Sequence, residues 1–214
     1  RAGLVGGDGA THMGAYDLSY MRCLPNLTIM APSDENECRQ MLYTAYQHPG
    51  PAAVRYPRGT GTGTSIDHAM TTIPIGKAKT CREGRNIAIL AFGNTLRAAL
   101  TAGEALNATV VNMRFIKPLD TDCLRHMAKT HELIVTTEEN VIQGGAGSAI
   151  SEFLQSEHYC NHILQLGLPD YPIDHASDKD QRHVCGLDAP QIQQAILQKQ
   201  KAIESQKLPL NCLK

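Results

Sequence analysis

No stretch of the chain approaches the roughly 18 consecutive apolar residues that a membrane-spanning helix needs, and no signal-peptide pattern opens it. An excess of one charge is also missing. Twenty Lys and Arg stand against 21 Asp and Glu, a net charge of −1, which excludes a large basic footprint for nucleic acid or for an anionic membrane. The seven cysteines (Cys23, Cys38, Cys81, Cys123, Cys160, Cys185, Cys212) contain no C-x-x-C. An odd count without ligand spacing speaks against a disulfide framework or a zinc site, and for buried or free thiols in a reducing compartment. The nine histidines show no H-E-x-x-H, so no metal site is expected.

What is present is the material of a globular protein. Hydrophobic residues make up 42% of 214 positions and glycine 18 of them, enough to bury a core and unlike a disordered or collagen-like tract. The length allows one domain or two small ones. A Gly-Thr alternation at Gly59–Thr64, followed by the polar stretch Ser65–Thr72, reads as a connector with backbone freedom and little to pack. We therefore expect three parts: residues 1–58, a linker 59–73, and residues 74–214. The first part is near the lower limit for a self-sufficient core and needs a neighbour. The opening at Arg1, not Met, reads as part of something longer.

Periodicity supplies the elements. In the first block we expect strands at Gly3–Gly6, Leu27–Met30 and Ala52–Tyr56, a Gly-rich loop at Gly7–Gly14, and a helix of about three turns that begins at Ser33-Asp34-Glu35. Cys38, Met41, Leu42 and Ala45 mark its apolar face. In the second block, strands are expected at Ile87–Phe92, Thr109–Met113, Leu133–Thr137 and His162–Leu166. A helix follows the first of these, marked by Leu96, Ala99, Leu100 and Gly103. Further helices are expected at Asp120–Lys129, Gly147–Ser156 and Ala189–Ile203. Strands alternating with helices of this length predict right-handed crossovers and a three-layer α/β fold with mainly parallel sheets.

Three constellations could carry chemistry. Asp8 and His12 stand four apart on the loop Asp8-Gly9-Ala10-Thr11-His12, where a carboxylate and an imidazole could address one small polar group. The same residues also suit a turn in which the aspartate caps its own backbone and the histidine is merely exposed. Arg1 and Arg58 each abut a strand end and a Gly, the place where open α/β sheets bind ligands, and two guanidinium forks there would suit a phosphate or carboxylate. Ordinary solvated arginines fit equally well, and strand alternation sends Arg55 to the face opposite Tyr56. The third is Glu138-Glu139-Asn140 followed by Gly144-Gly145-Ala146-Gly147-Ser148, which lacks both G-x-G-x-x-G spacing and a P-loop Lys. It reads as a structural strand-to-helix turn rather than an anion cradle.

Long ordered motifs then point to a family. R-A-G-L-V-G-G-D-G-A-T-H-M-G-A-Y-D-L-S-Y-M-R, A-P-S-D-E-N-E-C-R-Q-M-L-Y-T, A-V-R-Y-P-R-G, M-R-F-I-K-P-L-D and E-E-N-V-I-Q-G-G-A-G-S resemble the 1-deoxy-D-xylulose-5-phosphate synthases, transketolase-like thiamine-diphosphate enzymes. D-G-x-T-H is shared with transketolases at large, and the continuation G-A-Y-D-L-S-Y selects the synthases. The resemblance runs from Arg1 to about Leu187 and extends to the last helix.

The resemblance implies part of a pyrimidine-binding domain followed by a transketolase C-terminal domain. It implies a reaction in which pyruvate loses carbon dioxide on thiamine diphosphate and the remaining two carbons join D-glyceraldehyde 3-phosphate, the first step toward non-mevalonate isoprenoid precursors. By motif, Arg1 and Arg58 hold the acceptor's phosphate, His12 hydrogen-bonds the reacting oxygens, and Asp8 contacts an acceptor hydroxyl. No G-D-G…N motif for the cofactor's diphosphate and magnesium occurs here, and the family's activating glutamate lies upstream of Arg1. No cofactor-binding or metal-binding residue is therefore expected in this chain, which alone should not catalyse. The resemblance further implies a homodimer, completed by N-terminal domains of the same protein, in a bacterial cytoplasm; a plastid stroma is not distinguished. A different class also fits. The 5% aromatic content and the absent cofactor motif suit a non-catalytic dimerisation or scaffold module on the same fold.

Overall fold

The computed structural model of the chain describes residues 1–207. Its elements, in chain order, are α1 (Asp17–Met21), β1 (Thr28–Met30), α2 (Glu35–Gln47), β2 (Ala52–Val54), β3 (Lys79–Arg82), β4 (Asn86–Ala91), α3 (Leu96–Leu106), β5 (Thr109–Asn112), β6 (Phe115–Lys117), α4 (Thr121–Thr130), β7 (His131–Val141), α5 (Ala146–Ser156), β8 (His162–Leu168), α6 (Asp178–Val184) and α7 (Ala189–Lys207). Helix α7 outruns the expected end at Ile203, and the last seven positions of the expected 74–214 part lie outside the described residues.

The apolar run of β4 sits at the centre of a five-stranded sheet of order β3-β5-β4-β7-β8. Its pairings are parallel except at the edge, where β3 runs antiparallel to β5. Alternation along β4 divides the core. Ile87 and Ile89 face α3 and α7 through Ala99, Ile192, Ile196 and Ile203, while Ala88 and Leu90 face α4 and α5 through Leu124, Met127, Ile150 and Leu154. A strand buried on both faces needs apolar residues at every position, which is why β4 shows no polar alternation. The result is a three-layer α/β fold with a mainly parallel sheet.

Residues of the first block form a small sheet of order β2-β1-β6, with β1 and β2 parallel and β6 antiparallel to β1. The third strand comes from the second block, so one sheet spans both. Helix α2 begins where the acidic turn predicts: the Asp34 side chain caps it by accepting from the Glu37 amide at 2.8 Å.

Two expectations fail locally. Gly3–Gly6 is not a strand; Ala2 and Gly3 make single bridges to Pro57 and Gly14, and Gly6–Asp8 already turns into a 3-10 helix. With Gly3 and Gly6 both at positive φ, the backbone there cannot extend into a ladder. The connector also proves fastened. Residues 59–73 carry no helix or strand, yet α2 grips them along one side. Glu35 accepts from Thr62 and Gly63 at 2.8 and 2.7 Å, and Arg39 donates to the carbonyls of Asp67, His68 and Ala69. Further along, Gln40 bonds Ala69 and Thr71, and Thr44 accepts from the Ile73 amide. These polar partners could not be read from the Gly-Thr alternation because they lie in another element.

Candidate functional site

The chain's first turn is the floor of the site. Gly3 and Gly6, both at positive φ, turn the chain between Arg1 and Asp8 and leave the two side chains in contact. On the other side, Pro57 bridges to Ala2 and delivers Arg58 to the same place. The two arginines meet on one carboxylate oxygen: Arg1 Nη1 lies 2.9 Å and Arg58 Nε 2.6 Å from Asp8 Oδ2. Both guanidinium side chains are about half exposed, at 50% and 46%, so each keeps N–H donors for an external anion. Two fixed positive charges against one carboxylate leave the cluster cationic, which suits a phosphate.

His12 stands on the next 3-10 turn of the same loop, exposed, with Nδ1 3.0 Å from Thr11 Oγ1. The structure thus joins Arg1, Asp8 and Arg58 in direct contact and leaves His12 beside them on the loop. Arg55 has a different task. It is 8% exposed whereas Tyr56 is 51% exposed, as strand alternation requires. Its guanidinium pairs with Asp17 and donates to the carbonyls of Gly14 and Glu139, tying the loop's far end to β7.

Glu138, Glu139 and Asn140 lie buried on β7 and turn inward. Glu138 accepts from the amides of Ala146 and Gly147 at 2.7 and 2.8 Å, so the helix N-terminus that follows the GGAGS loop is filled by the protein's own carboxyl group. Burial pushes that carboxyl up to about 7, against the opposing pull of the two amides. Asn140 bonds the Leu18 amide and Ser19. The loop is a strand-to-helix turn that docks α1.

Glu139 reaches the site itself. Its Oε2 accepts from the Leu4 amide at 3.3 Å, and its Oε1 accepts from Asn94 and from Arg182 on α6. Gln181, only 1% exposed, accepts from the Gly6 amide at 2.9 Å. None of Asn94, Gln181 and Arg182 stood out in the sequence. The available signal was the N-cap at Ser177, followed by Asp178 and Asp180 in the first turn of α6, which marks a helix start but not what the helix touches.

A cavity of about 760 Å³ opens behind Arg58 between the two blocks, lined among others by Asp34, Asn94, Arg97, Glu139 and Arg182. The chain leaves β4 toward β5 on one side and later returns as β7 on the other. Asn94 and Glu139 therefore lie at the carboxyl ends of strands flanking a topological switch point, where α/β sheets bind ligands. Among the described residues no group of three or more His, Cys, Asp and Glu could hold a metal ion, and no helix is long and apolar enough to cross a membrane. All described cysteines are free thiols, and Cys212 lies outside the described residues.

The fold and the strand-end cluster define a three-layer α/β protein with a candidate site where a Gly-rich loop and a second, smaller sheet meet the main one. Residues 76–192 match the model of the transketolase C-terminal domain, and residues 1–62 match that of the transketolase pyrimidine binding domain. The chain belongs to the transketolase family. It is 58% identical over 196 residues to the 1-deoxy-D-xylulose-5-phosphate synthase of Chromobacterium violaceum and 57% identical to that of Vibrio vulnificus, covering 92% of this chain in each case. The chain spans 32% of the length of each of these relatives. Among solved structures, a split-gene transketolase described as an inactive β4 tetramer superposes with a TM-score of 0.78 at 30% identity, over 89% of this chain and 62% of that one. Transketolase from Campylobacter jejuni shares the fold at a TM-score of 0.65 and 18% identity, over 90% of this chain and 29% of that one.

Proposed function

We propose that the chain supplies the acceptor side of a 1-deoxy-D-xylulose-5-phosphate synthase, which condenses pyruvate with D-glyceraldehyde 3-phosphate and releases carbon dioxide. The observation that carries this reading is the convergence of Arg1 and Arg58 on Asp8. In the reaction, Arg1 and Arg58 bind the acceptor's phosphate through the N–H groups that Asp8 leaves free. Asp8 orients a hydroxyl of the acceptor as well as both guanidinium groups. His12 donates to the reacting oxygens from its exposed position on the same loop. Identity to the curated synthases across most of the chain supports the substrate pair.

The synthase reaction draws its carbanion chemistry from thiamine diphosphate when that cofactor is bound. Part of the proposal is that the residues holding its diphosphate and magnesium lie elsewhere in the encoded protein, a reading supported by the α5 N-terminus being filled by Glu138. No step is assigned to the cofactor on this chain. Part of the same proposal is the division into a pyrimidine-binding part at 1–58, a connector at 59–73 and a C-terminal domain at 74–214. So is a homodimer in a bacterial cytoplasm, completed by further domains of the same protein. The 214 residues alone then do not turn over, a reading supported by the inactive β4 tetramer of the split-gene relative.

The test is pyruvate consumption and product formation with thiamine diphosphate, magnesium and D-glyceraldehyde 3-phosphate, run on the 214-residue chain and on the protein as its gene encodes it. We expect no turnover from the chain alone and steady turnover from the encoded protein. Turnover by the chain at the encoded protein's rate would overturn the division of labour. An encoded protein that consumes neither substrate would overturn the synthase reading in favour of a scaffold module.

A further inference from the structure

The Asp8 turn is held from the other side of the molecule. Gly6 has φ 59°, and its amide and carbonyl both point at one side chain. Gln181 Oε1 accepts from the Gly6 amide at 2.9 Å, and Gln181 Nε2 donates to the Gly6 carbonyl at 3.3 Å and to the Asp174 carbonyl at 2.9 Å. The amide's acceptor and both its donor hydrogens are thereby engaged, and only this orientation of the amide satisfies all three partners. The same Gly6 carbonyl closes the turn by accepting from the Gly9 amide. Fixing Gly6 therefore fixes the direction in which Asp8 leaves it.

One further side chain of α6, Asp178, lies against the same pair of turns, and a second, Arg182, reaches the first of them through Glu139. A Cβ added to Gly6 would collide with Asp178 Oδ1, and one added to Gly59 would lie 3.3 Å from Asp178 Oδ2. One carboxylate thus sits between the turn that carries Asp8 and the residue next to Arg58. Arg182 completes the contact through Glu139, which accepts from the Leu4 amide. Residues 178, 181 and 182 fall at helical spacing on the side of α6 that faces the loop.

We infer that Gln181 is a positioning residue for the acceptor site: through its paired hydrogen bonds to Gly6, helix α6 of the C-terminal block sets the Asp8 turn, and with it the place where Arg1 and Arg58 meet. Gln181 touches neither substrate nor cofactor. It acts through Asp8, with Asp178 as the wedge that spaces the two turns. Buried polar bonds of this kind cost most when one partner is removed and the other is left unpaired. This inference rests on the synthase reading for its kinetic consequence, whereas the clasp itself rests on the geometry alone.

The experiment uses the protein as its gene encodes it, as wild type, Gln181→Leu and Gln181→Glu. Leucine removes all three bonds; glutamate keeps an acceptor for the Gly6 amide and loses the donors. Hydrogen exchange of the Gly6–Gly9 amides is expected to rise about tenfold or more in Gln181→Leu, and less in Gln181→Glu, with exchange in β4 and β7 unchanged. In steady state, KM for D-glyceraldehyde 3-phosphate is expected to rise roughly 5- to 50-fold in Gln181→Leu. Decarboxylation of pyruvate without acceptor should keep its wild-type rate, and Gln181→Glu should fall between the two. A general loss of folding would raise exchange in the central strands and slow pyruvate decarboxylation as well. Unchanged exchange at Gly6–Gly9 in Gln181→Leu, or an acceptor KM within twofold of wild type, would overturn the inference. A wild-type protein that does not use these substrates at all would overturn the synthase reading, and the exchange data would still decide whether Gln181 holds the turn.

Discussion

Asp8 accepts from two arginines that are 57 positions apart in the sequence, and the carboxylate's orientation decides where both charges point. The motif made Arg1, Asp8, His12 and Arg58 visible as residue types on strand ends and a Gly-rich loop. Their contacts were not visible, because Asp8 meets Arg58 only once the Pro57 bridge to Ala2 has formed. Glu138 carries the pH prediction at this scale. Its folded carboxyl titrates at about 7 against an ordinary 4.5, so between those values the unfolded chain has released a proton that the folded one retains. Stability should therefore fall as pH rises through that window, by about 3 kcal/mol, and level off above it. Thermal melting at pH 5 and pH 8 checks this: wild type should lose stability at the higher pH, and Glu138→Gln should show a flatter response. An equal slope in both proteins would place the titrating group elsewhere.

The elements divide by how much of their partner set is local. Helix α2 and helix α4 were readable because their caps lie in the adjoining sequence: Asp34 takes the Glu37 amide and Asp120 the Cys123 amide. The central strand β4 was readable because both its faces are buried. Strand β3, which is mostly exposed, and strand β6, three residues long, escaped because neither carries a clear alternation. Helix α1, with five residues, is too short for a periodic signal. The Gly-Thr connector marks the opposite limit, since it is ordered by side chains of α2. Arg39, itself half-buried, holds three of its carbonyls through hydrogen bonds that are open to solvent, so Arg39→Ala should change the melting temperature little. Cleavage within residues 59–72 by a protease of broad specificity should become several-fold faster. A cleavage rate equal to that of wild type would show that the grip on the connector does not restrain it.

At the scale of the whole molecule, the two blocks are bound into one unit by shared parts. Strand β6 of the second block completes the first block's sheet, Arg55 bonds the Glu139 carbonyl, and α6 clasps Gly6. The three-layer fold followed from the alternation of strands and helices. The placement of the site at the seam between blocks did not, because it depends on Glu139 and Gln181, residues remote in sequence from the loop they hold. The central claim is that this seam binds the phosphate of the acceptor aldehyde, and one ratio reads it most directly: kcat/KM for D-glyceraldehyde 3-phosphate over that for D-glyceraldehyde, in the encoded protein and in Arg58→Ala. The ratio is expected to fall by roughly tenfold or more in Arg58→Ala, with KM for pyruvate unchanged. A ratio that stays at the wild-type value while the use of pyruvate collapses would contradict it.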